Sequence, residues 1–179
     1  MMNIIQKAGK EGAFLAPLAG ISNLPFRLIA RSLGCSMAYT EMISANGLVR
    51  KTSRTHEYLK TAPDDRPLGV QIFGADPGIM AEAARIAENG GADLIDINMG
   101  CPVKKVIKTG AGAILMKKPD LAAQIVQSVK GAVKIPVTVK IRSGWSPSSI
   151  NAVEIAGIAE DCGADAVTVH GRTADQGYS

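Results

Sequence analysis

At 179 residues, with 46% hydrophobic and 20% charged side chains, the chain has the make-up of one globular domain, not of a disordered or fibrous protein. Aromatics at 4% beside 19 glycines favour tightly packed helix-on-sheet layers over an aromatic-cored sandwich, and no apolar run approaches a membrane span. The net charge of +4 is uneven: from 97 to 149 nine Lys or Arg face one acid, so this segment carries +8 and the rest −4. Such a field suits either a polyanionic or phosphorylated partner or a solvated lysine face.

In chain order, the opening stretch 1–7 lacks the apolar core of a signal peptide, which reads as a cytoplasmic protein. Apolar runs at 13–17, 36–40, 68–73, 93–98, 136–141 and 165–170 then alternate with helical patterns at 24–33, 77–88, 119–130 and 148–161. Pro77, Pro119 and Pro147 mark helix starts, with Asp76 and Ser148 as capping residues; Gly34, Gly90 and Gly163 stand where helix ends need a left-handed residue. This alternation predicts parallel strands joined by crossover helices.

Two stretches echo one another. Gly91-Ala92-Asp93-Leu94-Ile95-Asp96-Ile97-Asn98 resembles Gly163-Ala164-Asp165-Ala166-Val167-Thr168-Val169-His170, 72 residues on. A repeated βα unit, with no G-x-G-x-x-G after any strand, favours a (β/α) barrel over a dinucleotide-binding sheet. The predicted fold is α/β, an incomplete TIM (β/α)8 barrel with about six of eight units within residues 1–179.

Ligands of such barrels bind at the C-terminal ends of the strands. Side chains alternate along a strand, so Ile72, Ile97, Val139 and Val169 should pack on helices while Gln71, Asn98, Lys140 and His170 point inward near the mouth. Burying unpaired amides or ammonium groups costs several kcal/mol, so four inward polar tips imply a polar ligand or a wet mouth. Glu41, ending the second strand, is either a further ligand or an ion-pair partner. Trp145, after the fifth strand, is either a loop anchor or a stacking surface.

The fourth strand runs into Met99-Gly100-Cys101-Pro102, a tight loop that presents the Cys101 sulfur at the mouth. An ordinary thiol, with a pKa of about 8.5, is protonated at neutral pH and can act as a general acid, whereas nearby lysines would turn it into a nucleophile. Cys35 and Cys162, at helix ends, read as small buried residues, and the odd, widely spaced cysteines fit a reducing compartment. His56 and His170 are the only histidines, which argues against a zinc site, and His56, in a polar helical stretch, reads as a surface residue.

Five segments then occur in order: Ala16-Pro17-Leu18-Ala19-Gly20, Val70-Gln71-Ile72-Phe73-Gly74, Asp96-Ile97-Asn98-Met99-Gly100-Cys101-Pro102, Val139-Lys140-Ile141-Arg142-Ser143-Gly144-Trp145 and Val169-His170-Gly171-Arg172-Thr173. Together with Lys104, Lys105 and Gly110-Ala111-Gly112-Ala113 they make the chain resemble the tRNA-dihydrouridine synthases, most closely the bacterial B-type branch, from about residue 12 onward. The resemblance implies FMN-dependent reduction of tRNA uridine to 5,6-dihydrouridine with NADPH as reductant. It assigns Cys101 as the general acid that protonates C5, Pro17, Leu18, Ala19, Gln71, Lys140 and His170 to FMN, and Asn98, Lys104 and Arg142 to the tRNA substrate. It implies no membrane or metal partner.

Leu18 departs from the methionine often found at that position. The family's last two barrel strands, with their FMN-phosphate loops, and its helical tRNA-binding domain lie beyond residue 179, so residues 1–179 alone are expected to bind FMN weakly and to be inactive. The competing readings are another FMN barrel oxidoreductase, of the dihydroorotate dehydrogenase type with Cys101 as a base, or an inactive fragment.

Overall fold

In the computed structural model, residues 4–52, 55 and 57–177 are described; His56 lies outside them. Helix α1 (Ile4–Glu11) precedes β1 (Phe14–Leu15), α2 (Leu24–Ser32), β2 (Met37–Tyr39), β3 (Ile43–Ser44) and α3 (Ala45–Val49). There follow β4 (Leu68–Phe73), α4 (Pro77–Asn89), β5 (Leu94–Met99), α5 (Lys104–Ile107), a 3-10 turn (Gly112–Lys117) and α6 (Pro119–Ala132). The last are β6 (Val137–Arg142), α7 (Ala152–Asp161) and β7 (Ala166–His170).

The sheet order is β1-β2-β4-β5-β6-β7, every pairing parallel, with β3 also on β4, and it curls into a half-barrel. β2 and β3 together fill the place of one barrel strand. Between them Thr40 Oγ1, not a carbonyl, accepts the Gln71 N–H (3.1 Å), so the ladder breaks for one step and resumes at Ile43. The run predicted at 36–40 thus forms as β2, and the second piece, β3, lies beyond it.

Alternation sorts the strand side chains as expected. Ile72, Ile95, Ile97, Val137, Val139 and Ile141, all essentially inaccessible, meet Ala83, Ala84, Ala87, Ile125, Val126 and Val129 of α4 and α6. The alanines explain the composition: they let helices sit close against a β-branched surface. β7 lies on the edge, and Val169 there is 50% exposed.

The sequence echo has a mechanical reason. Asp93 Oδ2 accepts the Leu68 N–H (2.7 Å) and pairs with Arg66; Asp165 Oδ2 accepts the Val137 N–H (2.8 Å) and pairs with Lys130. Each aspartate thus staples the start of its strand to the neighbouring one. Gly163 has the left-handed backbone anticipated (φ +89°), but at the other repeat it is Gly91 (φ +91°), not Gly90 (φ −76°), that turns the chain. Asn23 and Asp76 cap α2 and α4, each accepting the N–H three residues on. Pro147 starts no helix. Ser146, Ser148 and Ser149 bond among themselves in a turn, Gly144 bridges Ile150, and α7 begins only at Ala152.

Candidate active site

The C-terminal ends of the strands enclose a cleft of about 410 Å³. Pro17, Leu18 and Ala19, from the loop after β1, form an apolar wall. Gln71 of β4, Asn98 of β5, Lys140 and Arg142 of β6 and His170 of β7 supply polar groups, with Cys101 on the loop after β5. Nine of the ten residues singled out by sequence therefore stand around one opening. Lys104 does not: it is exposed on α5 with Lys105, just outside the rim.

The floor is a chain of hydrogen bonds. Asp96, 2% exposed, receives the Thr138 hydroxyl on one oxygen (2.5 Å) and the Gln71 amide NH2 on the other (2.6 Å). Gln71 in turn accepts from the Asn98 NH2 (2.9 Å), and Asn98 Oδ1 accepts the backbone N–H of Gly100 (3.2 Å) and of Cys101 (3.0 Å). Arg142 holds the same loop from above, Nε donating to the Gly100 carbonyl (2.7 Å) and Nη1 to the Thr173 carbonyl (2.9 Å). Ala113 N–H donates to the Cys101 carbonyl (2.9 Å). Gly112, at φ +70°, allows that approach, since a Cβ there would come within 2.6 Å of the same oxygen.

Burial pushes the Asp96 carboxyl up to about 6, against the opposing pull of Gln71, Thr138 and the Lys140 charge. The Lys140 ammonium is lowered by its own desolvation, while Asp96 opposes that and Arg142 adds to it. Tyr39 reaches the same floor from β2, and burial, then the Asp96 charge, hold its hydroxyl protonated. Its ring lies where a Cβ on residue 69 would stand (2.5 Å), so Gly69 makes room for it. His170 is lowered by burial and then by Arg142, Lys140 and Arg172. Its Nδ1 accepts the Arg172 N–H (3.1 Å), which leaves a neutral ring with an Nε2–H to donate.

With Asp96 taking protons inward, the groups left facing the cleft are donors: amide NH2, ammonium, guanidinium, imidazole N–H and thiol. Such a mouth, walled on one side by Pro17 to Ala19, matches a flat heteroaromatic ligand with a carbonyl-rich or anionic edge.

Sequence reasoning placed Asp96 and Thr138 on the inward face but assigned them nothing. Their signal was the parity itself, a carboxylate and a hydroxyl opposite each other at register-paired positions. Glu41 takes neither expected role among the described residues: its carboxylate accepts the Gly20 N–H and so bolts the loop after β1 to the segment after β2, outside the cleft lining. Trp145 is a loop anchor, its carbonyl accepting Asp175 N–H (3.1 Å) and its ring under the Lys117 ammonium (4.2 Å to the centroid). Cys35 and Cys162 lie outside the cleft lining, Cys35 donating to the Met37 carbonyl (2.9 Å). Among the described residues no group of three or more His, Cys, Asp or Glu is placed to hold a metal, and no helix is long and apolar enough to cross a membrane.

A parallel half-barrel with its donor-rich cleft at the strand C-termini places the chain among barrel proteins that work at that face. Among solved structures it is similar to 2,3-dimethylmalate lyase (TM-score 0.55, 15% identity, 95% of this chain and 62% of that one) and to mandelate oxidase (TM-score 0.52, 19%, 87% and 47%), which shows the fold alone. The particular family comes from sequence: the dihydrouridine synthase (Dus) profile matches residues 14–179, and the chain belongs to that family. It is 51% identical over 160 residues to tRNA-dihydrouridine synthase B of Serratia marcescens (88% of this chain, 47% of that one). It is 46% identical over 172 residues to the protein of that name from Proteus vulgaris (96% and 53%). The chain spans about half the length of the curated relatives it matches.

Proposed function

We propose that this chain carries the catalytic face of an enzyme that reduces uridine in tRNA to 5,6-dihydrouridine, in the cytoplasm, with FMN as cofactor and NADPH as the source of electrons. The observation that carries this reading is the convergence of Cys101, Asn98, Gln71 and Lys140 on one cleft in a chain of the dihydrouridine synthase family. Family membership favours it over the reading as a dihydroorotate dehydrogenase-type enzyme, because the fold alone serves both.

The donor set fits FMN. Pro17, Leu18 and Ala19 would lie against the ring, Gln71 and Lys140 would meet its polar edge, and the neutral His170 would donate to its ribityl-phosphate side. Bound and reduced, FMN supplies hydride to C6 of uracil. Cys101 then delivers its thiol proton to C5, so that the C5–C6 double bond becomes two C–H bonds and the sulfur is left as thiolate. Asn98 fixes the Cys101 loop through two backbone N–H groups, and its second amide N–H, held only by the Met42 sulfur (4.0 Å), would turn to orient the uracil. The Lys140 ammonium would sit against the negative charge of the reduced ring, were FMN bound there. The exposed Lys104, Lys105 and Lys108 suit tRNA phosphates, and Arg142, in the cleft lining, would meet the substrate there.

Purified full-length protein is expected to be yellow and to form dihydrouridine in unmodified tRNA. Cys101→Ala should lower the rate by at least about 100-fold, the ordinary worth of a general acid, while flavin absorbance is retained. Undiminished activity in that variant, or turnover of free pyrimidines in place of tRNA, would overturn the assignment.

A further inference from the structure

Asp96 does not line the cleft itself, and the chemistry above gives it no step. Yet it stands at one end of an unbroken series of directed hydrogen bonds whose other end is the Cys101 backbone. Amide side chains have two chemically different ends of almost equal shape, and something must decide which end points where. An ionised carboxylate only accepts. Gln71 must therefore turn its NH2 toward Asp96 and its carbonyl toward Asn98, and Asn98 must turn its NH2 toward Gln71 and its carbonyl toward the loop. At the far end the N–H groups of Gly100 and Cys101 only donate, so the two ends of the series agree. A Gln71 rotated by half a turn would set carbonyl against carboxylate and NH2 against NH2, costly in a floor where Gln71 is 1% and Asn98 7% exposed.

We propose that Asp96 is the positioning residue of this site: its carboxylate sets the direction of the Gln71–Asn98 series, and through it fixes the loop that carries the Cys101 thiol and the donor edge shown to the ligand. The link to catalysis rests on the function proposed above; the link from Asp96 to the loop does not. Thr138 donates to the other carboxylate oxygen (2.5 Å). Tyr39 from β2 and Lys140 from β6 are the other ionisable groups facing it, with Arg142 behind Lys140 and His170 across the cleft on β7.

Amide hydrogen exchange on the full chain tests this. Asp96→Leu removes the acceptor, and the protection of the Gly100 and Cys101 amides should fall about tenfold while Ile95 and Ile97 in the same strand keep theirs. Asp96→Asn can still offer Gln71 a carbonyl, so above about pH 6 it should fall only about threefold short of wild type, and the protection in this variant should not follow an Asp96 titration between about pH 5 and 8. The wild-type chain should match Asp96→Asn below pH 6 and exceed it above; any inflection surviving in Asp96→Asn belongs to His170. Should neither variant fold, the wild-type pH dependence and Gln71→Leu, which cuts the series one link later, carry the same expectation. Gly100 and Cys101 amides that stay protected, or that change only in step with Ile95 and Ile97, would overturn the proposal. With tRNA, Asp96→Leu should lower kcat far more than it raises KM. A wild-type enzyme without activity would sink the proposed function but leave the exchange result standing.

Discussion

Among the described residues two aspartates are buried, and the fold treats them in opposite ways. Asp65, 0% exposed, sits against a guanidinium: Arg27 Nε and Nη2 both reach its Oδ2 (2.9 and 2.7 Å), and Arg31 lies 3.9 Å from the other oxygen. Arg27, 1% exposed, spends its remaining donors on the carbonyls of Ser22 and Lys60, tying α2 to the segment ahead of β4. Asp96 has neutral donors in direct contact and Lys140 only at longer range, and its carboxyl is raised to about 6. A carboxylate with an arginine attached is a fastener. One buried among amides and hydroxyls is costly to ionise, and such groups gather where chemistry is done.

The sharpest way to break this contrast is to unpair the fastener. Arg27→Met strips the buried Asp65 carboxyl of its main partner, which should destabilise the chain by about 3–5 kcal/mol in denaturant titration. Arg27→Met with Asp65→Leu should recover most of that loss, because the unpaired charge, not the missing pair, causes it. Equal instability of the single and double variants would make Arg27 a packing residue.

Asp96 should answer to pH in the opposite sense from an ion-paired acid. Its folded value lies above the ordinary 3.8, so the folded state holds its proton longer than the unfolded chain does. Below about 3.8 the group costs nothing; as pH rises to about 6 the cost of ionising it inside accrues in full. Asp96→Asn removes that cost, so its stability relative to wild type should climb by about 3 kcal/mol between about pH 3 and pH 7, most of it between pH 4 and pH 6, and then level off. A difference that stays flat over this window would mean that Asp96 is not buried as a carboxylate.

How far these differences were legible depends on whether the information is local. Strand parity needs only a period of two, so it sorted Gln71, Asn98, Lys140 and His170 from Ile72, Ile97 and Val139 without any structure. Glycine and proline in Met99-Gly100-Cys101-Pro102 marked the loop for the same reason. What sequence could not order was pairing across strands. Asp96 meets Thr138 because β5 and β6 run in that register, 42 residues apart, and Asp65 meets Arg27 across 38. Nothing near either aspartate in the chain distinguishes fastener from site. The break at Thr40 was hidden likewise, since a hydroxyl replaces a carbonyl only once Gln71 has come alongside. Pro147 misled because a proline suits a turn as well as a first helical turn.

The smallest expected effect calibrates the other two. Lys117 is an exposed cation with a partner, its ammonium 4.2 Å from the Trp145 ring centroid. Water solvates it whether or not the ring is there, so Lys117→Ala should cost no more than about 0.5–1 kcal/mol and should leave the cleft, which Trp145 does not line, unchanged. Melting temperature and flavin affinity together read this. Three charged groups would then be ranked by solvent access and by what replaces the water: a guanidinium for Asp65, neutral donors for Asp96, water itself for Lys117. If Lys117→Ala weakened flavin binding, the two loops joined by the Trp145–Asp175 hydrogen bond would be transmitting strain to Arg142 and His170, and the boundary between anchor and site would have to move inward to Arg142.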